Sequence, residues 1–211
     1  MQDISGVQVV AFDCDGVLFD SSEANQAYYN QILSQFNLPA MTVEQFAYVH
    51  MHTVDEALAY LFDSPETHLA ARAYCRQMSY MPFIRHMVIE PHLRRLLQWL
   101  RPTYKTAIAT NRTNTMNRVL DEHKLQGLFD KVITAADVDH AKPHPDQLLT
   151  LLDHFGVHAS QMMYIGDSQV DSAAAQQADV FFVAFQNTDL EADAHVQNLG
   201  QIVQLLTSRS E

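Results

Sequence analysis

The chain has 211 residues, 47% of them hydrophobic, and a formal net charge of −12 at pH 7. That length suits one domain, or one domain with an insertion, and the apolar share is ample for a core. The acidic balance argues against a nucleic-acid backbone or an anionic membrane as partner, and two cysteines, Cys14 and Cys75, are too few for a disulfide framework.

Met1 to Gly6 carries no basic leader pattern, and no apolar run approaches the ~18 residues of a membrane span. A cytoplasmic protein is therefore expected, as a monomer or small homo-oligomer. The first strand is expected at Val7–Phe12, running into Asp13-Cys14-Asp15-Gly16. Two carboxylates at this spacing repel and raise each other's pKa. Either something cationic sits between them or the strain serves chemistry. Cys14 between them reads as a small buried hydrophobe.

Residues 21–84 offer no convincing strand. Thr42–Gln45 and Thr53–Glu56 have the capping-box pattern, and Ser64–Pro65 reads as an N-cap followed by N1. A helical insertion is expected here, leaving a core domain of residues 1–20 and 85–211. Pro91 then marks a helix start, with Leu93, Leu96, Leu97 and Leu100 at 3.6-residue spacing and Pro102 as its stop. Strands are expected at Thr106–Ala109, Lys131–Thr134, Met162–Ile165 and Val180–Ala184. The stripes Met116, Val119, Leu120, His123 and Leu148, Leu149, Leu152, Phe155 read as helices between them, the second closed by Gly156. Strand alternating with helix predicts an α/β fold with a doubly wound parallel sheet and an inserted α-helical cap.

Ligands bind outside the carboxyl ends of such strands. Those ends carry Asp13-Cys14-Asp15-Gly16, Thr110-Asn111, Lys142-Pro143 and Gly166-Asp167-Ser168 with Asp171 one helical turn on. With only Lys105, Lys124, Lys131 and Lys142 in the chain, an anion site has few lysines to draw on. Acid pair, hydroxyl, ammonium and acid together suit a divalent cation and a phosphate held side by side.

These four motifs, in this order, resemble those of the haloacid dehalogenase superfamily in its phosphatase branch, and within it the group of phosphoglycolate phosphatases and β-phosphoglucomutases. The resemblance spans essentially the whole chain, and the helical insertion matches that family's cap. It implies a Mg2+-dependent phosphatase acting on a small phosphorylated metabolite. Asp13 would be the nucleophile forming an aspartyl-phosphate, and Asp15 the general acid and base. Thr110, Asn111 and Lys142 would hold the phosphoryl oxygens, with backbone amides around Cys14 to Gly16. Mg2+ would take Asp13, Asp167 and the backbone carbonyl of Asp15, while Asp171 orients its waters. His50 and His52, in the cap loop Val49–Thr53, are candidates for contact with the leaving group.

Asp15 argues against a dehalogenase, and an insertion without lysine argues against a Schiff-base phosphonatase. A phospho-receiver domain also uses an acidic pair, a Thr and a Lys-Pro, but the region of its phosphorylated aspartate is helical insertion here. A phosphomutase is the alternative within the superfamily. The resembling mutases place a hinge histidine early in the first cap helix, where this chain has Asn25.

Overall fold

The computed structural model describes residues 4–208, so the first three residues of the Met1–Gly6 stretch lie outside it. The chain opens with β1 (Val9–Phe12) and the short β2 (Phe19–Asp20). Helices α1 (Ser22–Gln35), α2 (Val43–Met51), α3 (Val54–Leu61), α4 (Pro65–Gln77) and α5 (Met81–Ile84) follow. The chain returns through β3 (Val88–Ile89), then α6 (Leu93–Leu100), β4 (Lys105–Thr110), α7 (Met116–Glu122) and β5 (Lys131–Thr134). It ends with α8 (Asp146–Phe155), β6 (Met162–Gly166), α9 (Gln169–Gln177), β7 (Phe181–Phe185), β8 (Ala194–Val196) and α10 (Gln201–Thr207).

All four residues of β1 are buried, and an unbroken apolar run is what a parallel strand covered on both faces requires. Among the described residues the main sheet has the order β5-β4-β1-β6-β7-β8, with every pairing parallel. The α/β architecture with a parallel sheet is thus as expected. Alternate strand residues face opposite layers. Val10, Phe12, Ile108 and Ile165 join one core cluster with Leu93, Leu96, Leu97 and Leu100 of α6. Val9, Ala11, Ala107 and Tyr164 join the other with Leu148 and Leu151 of α8 and Ala174 of α9. Register fixes the site: Phe12 lies opposite both Ile108 and Ile165, so β1, β4 and β6 deliver their next residues to one edge.

The helical stretch begins and ends at the antiparallel ribbon of β2 with β3. Both expected capping boxes form, Thr42 with Gln45 and Thr53 with Glu56, and Ser64 caps α4 with Pro65 in its first turn. Tyr28, Ile32, Leu58 and Phe83 from these helices are continuous with the first core cluster.

Several boundaries differ from the sequence expectation. β1 starts at Val9 and not Val7, α6 starts at Leu93 and not at Pro91, and β7 runs one residue later than Val180–Ala184. The ribbon strands have two residues each, too few for a period to declare itself. His123 is the residue capping the end of α7, not part of its stripe. In α8 the expected stripe Leu148, Leu149, Leu152, Phe155 has the wrong phase, because the apolar run Leu148-Leu149-Thr150-Leu151-Leu152 supports more than one helical face. The fold buries Leu148 and Leu151 completely and leaves Leu149 47% exposed.

That phase is measurable. Leu151→Ala should lower the unfolding free energy by about 2–5 kcal/mol through lost burial and a residual cavity, while Leu149→Ala should stay within about 0.5 kcal/mol of wild type. Urea denaturation of the two variants decides between the phases. Equal losses would contradict the packing described.

Candidate active site

Four loops converge at the carboxyl edge of the sheet and line a cavity of about 790 Å3 that includes Asp13, Asp15, His50, Thr110, Lys142 and Asp167. Its centre is Lys142, 1% exposed. An ammonium has three N–H donors. Here they go to Ala109 O at 3.1 Å, Tyr164 Oη at 2.9 Å and Asp171 Oδ1 at 2.7 Å. Asp13 Oδ1 also lies 2.7 Å from Nζ, but no directed hydrogen bond reaches it. The two form a close, buried ion pair.

Asp171 is fully buried, yet its pKa is lowered. Burial works against ionisation, and Lys142 together with hydrogen bonds from Lys142, Ser168 and Tyr164 outweighs it. Its Oδ2 accepts from the Ser168 amide at 3.1 Å and from the Ser168 hydroxyl. Asp13 shows the opposite balance. Burial pushes its carboxyl up to about 7, with Lys142 lowering it and Asp171 and Asp15 raising it. Asp167 is likewise raised, by burial and by the charges of Asp171 and Asp13.

Oxygens of Asp13, Asp167 and Asp171 lie within 4.8 Å of one another. Ionised together, three carboxylates against one ammonium would leave two negative charges uncompensated. A hard divalent cation with oxygen ligands fits such a donor set. Two glycines bring these acids close. A Cβ on Gly16, whose φ is +81°, would lie 2.0 Å from Asp167 Oδ2. One on Gly166 would lie 2.4 Å from Asp171 Cβ.

Asp15, two residues from Asp13, turns to a different cation. Arg112 grips it as a fork, Nε to Oδ2 and Nη2 to Oδ1, both at 2.6 Å. Burial would raise the Asp15 carboxyl, and Arg112 holds it below its ordinary value nonetheless. The sequence reading missed Arg112. Its signal was a cation directly after the strand-end pair Thr110-Asn111 in an acidic chain.

The remaining candidates sort by what they touch. The Thr110 hydroxyl is buried and accepts from the Arg112 amide at 3.1 Å. Asn111 and Lys142 exchange reciprocal bonds at 3.0 Å, Nδ2 to the Lys142 carbonyl and the Lys142 amide to Oδ1, which ties two strand-end loops together. Cys14 is fully buried, and burial pushes its thiol up, so it serves as packing. The Gly16 amide donates to Phe19 O at 2.8 Å, inside the turn that follows β1. His50 lines the cavity and accepts at Nδ1 from Asn25 Nδ2, 3.1 Å away. His52 lines it too, its ring stacked on Tyr48 at 3.9 Å and its Nδ1 2.8 Å from Tyr48 O. Asn25 continues the network, since Tyr80 Oη donates to its Oδ1 at 2.5 Å and Arg112 Nη2 reaches Tyr80 Oη at 3.3 Å.

A family model described as haloacid dehalogenase-like hydrolase matches residues 10–185. The chain belongs to that family. This haloacid dehalogenase-like hydrolase is 29% identical over 183 residues to a phosphoglycolate phosphatase of Aliivibrio fischeri, covering 82% of this chain and 81% of that protein. It is 24% identical over 178 residues to the pyrophosphatase PpaX of Oceanobacillus iheyensis, with 82% and 81% covered. Among solved structures, a haloacid dehalogenase superfamily hydrolase of subfamily IA from Geobacter sulfurreducens superposes with a TM-score of 0.78 at 34% identity, covering 95% and 97% of the two chains. No helix among the described residues is long and apolar enough to cross a membrane.

The raised pKa of Asp13 has a definite sign in stability. With 3.8 as the ordinary value and about 7 in the fold, the native state holds the extra proton between these limits. Stability contributed by this group is therefore full below about pH 4 and declines as pH rises to about 7. Asp15 and Asp171, lowered in the fold, lose their contribution only below the ordinary carboxylate range. His50, lowered by burial, slopes the other way below its ordinary value of 6.5, so the comparison needs a reference variant. In chelating buffer, wild type should lose stability relative to Asp13→Asn between pH 5 and pH 7, by at most about 1.4 kcal/mol per pH unit. Urea denaturation at both pH values checks it, and parallel profiles would contradict it.

Proposed function

We propose that this hydrolase is a Mg2+-dependent phosphatase that hydrolyses a small phosphate monoester through an aspartyl-phosphate on Asp13, with residues 21–84 acting as a cap over the site. The observation that carries the reading is Asp13 itself. It is a buried carboxylate with one oxygen free of hydrogen bonds, set against a buried lysine in an acid cluster at the mouth of a cavity. The phosphatase names of the curated relatives support the same reaction class.

Asp13, Asp167 and the Asp15 carbonyl would hold Mg2+, with Asp171 behind them. When bound, the ion supplies charge neutralisation for the transferring phosphoryl group and for Asp13. Asp13 attacks phosphorus in line, forming its P–O bond as the ester P–O bond breaks. The departing alkoxide takes a proton from Asp15, which then accepts a proton from the water that hydrolyses the acyl phosphate. Lys142 and the Thr110 hydroxyl stabilise charge on the phosphoryl oxygens. Asn111 keeps their two loops in register.

Hydrolysis is favoured over mutase chemistry by Asn25. Its amide is bonded to His50 and Tyr80, and an amide neither takes nor gives a proton near neutral pH. Nothing at that position would delay Asp15 from activating water.

With p-nitrophenyl phosphate and Mg2+, Asp13→Asn should lose about a thousandfold or more in kcat while retaining its circular dichroism spectrum. Unchanged turnover would sink the mechanism. Lys142→Ala should cost at least about 2 kcal/mol in kcat/KM. Supplied with β-glucose 1-phosphate, the enzyme should release phosphate slowly or not at all. Accumulation of glucose 6-phosphate, read by phosphorus NMR, would favour the mutase instead.

A further inference from the structure

Side chains run in one hydrogen-bonded line from Asp15 through Arg112, Tyr80 and Asn25 to His50. The direction of each bond in it is fixed. A guanidinium only donates, so Arg112 Nη2 donates to Tyr80 Oη at 3.3 Å. The Tyr80 hydroxyl has its own proton to place, and Asn25 Oδ1, 2.5 Å away, takes it. The Asn25 NH2 group is left as a donor, and it meets His50 Nδ1 at 3.1 Å and Ser21 Oγ at 3.4 Å. Turning this amide over would point its NH2 group at Tyr80 Oη and strand the tyrosine proton at the shortest contact of the line. Each bond thus polarises the next, and the line ends on a ring nitrogen that has to carry a lone pair.

An imidazole that accepts at Nδ1 is neutral and carries its proton on Nε2. A proton on Nδ1 would oppose two N–H groups, which disfavours both the imidazolium and the other tautomer. Burial also lowers the His50 pKa, with Arg112 helping and the charges of Asp15 and Asp20 opposing. Among the described residues no group bonds His50 Nε2, and the ring lines the same cavity as Asp13 and Asp15. We propose that Tyr80 and Asn25 are positioning residues that fix His50 as a neutral donor at Nε2, and that this donor selects leaving groups carrying an acceptor oxygen. A neutral N–H asks for no charge on its partner, so a hydroxyl or carbonyl oxygen is enough. A hydrocarbon leaving group would displace water from the N–H and return nothing. Only this selection rests on the phosphatase reading, because the polarity of the line belongs to the protein alone.

Nitrogen NMR of protein labelled with 15N-histidine reads the line directly, the His50 signals being assigned by their loss in His50→Gln. Wild type should show a proton-free Nδ1 and a protonated Nε2 from about pH 6 to about pH 8. Asn25→Asp faces the ring with a carboxylate that only accepts, so Nδ1 should become protonated. Tyr80→Phe frees the amide to turn and should mix the tautomers. A wild-type Nδ1 that carries the proton, or a pattern unmoved in either variant that folds, overturns the positioning role. Selection is read by phosphate release with Mg2+ from glycerol 3-phosphate and propyl phosphate, whose leaving groups share one carbon chain and differ in hydroxyls. Wild type should prefer the hydroxylated ester by at least about tenfold in kcat/KM. His50→Leu should bring the ratio below about threefold, while His50→Gln, with an amide N–H in place of Nε2–H, should hold most of it. A wild-type ratio near one, or a full ratio in His50→Leu, overturns the selection and leaves the phosphatase reading intact. Should His50→Leu fail to fold, His50→Phe decides on the same terms. Phosphate released from neither ester nor p-nitrophenyl phosphate would end the phosphatase reading and the selection together, while the nitrogen pattern still decides the positioning role.

Discussion

One buried ammonium organises the carboxyl edge of the sheet. Lys142 sits on a loop after β5, yet its Nζ lies against the ends of β1, β4 and β6 through Asp13, Ala109 and Tyr164. Burying an unpaired cation would be prohibitive, so the position requires acids around it. Asp171 meets that demand with its own hydrogen bonds complete, while Asp13 meets it incompletely. The asymmetry is chemically useful. The acid whose bonding is complete is a fixed support, and the acid with an unbonded oxygen is the one the proposed mechanism uses.

The sheet makes this arrangement possible at small entropic cost. Parallel strands in register place their carboxyl ends at one level, so residues far apart in sequence need only short loops to meet. Phe12, Ile108 and Ile165 are aligned neighbours, and the candidate residues Asp13, Thr110 and Asp167 follow them within two positions. Rigid strands hold the site, while the loops supply its chemistry. The glycines at 16 and 166 extend the same logic, since each removes a Cβ where two acidic segments come into contact.

Much of this was readable in the sequence because it is written locally. Asp13, Thr110 and Asp167 each end an apolar run, and a run of that kind declares a buried strand without knowledge of its partners. Capping boxes were legible for the same reason, all their atoms lying within four residues. What escaped is non-local. Arg112 and Asp15 are 97 positions apart, and Tyr80 and Asn25 are 55 apart. Tyr164 reads as one more core aromatic in a strand, and only the fold reveals its hydroxyl between Lys142 and Asp171. β8 escaped for another reason: three residues at a sheet edge, one of them exposed, carry no usable period.

Asp13 and Asp15 stand so close together because each faces its own cation. Lys142, from the loop after β5, serves Asp13, and Arg112, from the loop after β4, serves Asp15. The loop after β1 thereby divides one cavity into two electrostatic compartments. On the Asp13 side negative charge is in excess, which suits a divalent cation and the phosphoryl group it would accompany. On the Asp15 side the charges balance one to one, so nothing charged can enter without displacing something. Repulsion between the paired acids is thus relieved by separation of their partners, and the same separation gives the two ends of a substrate different environments.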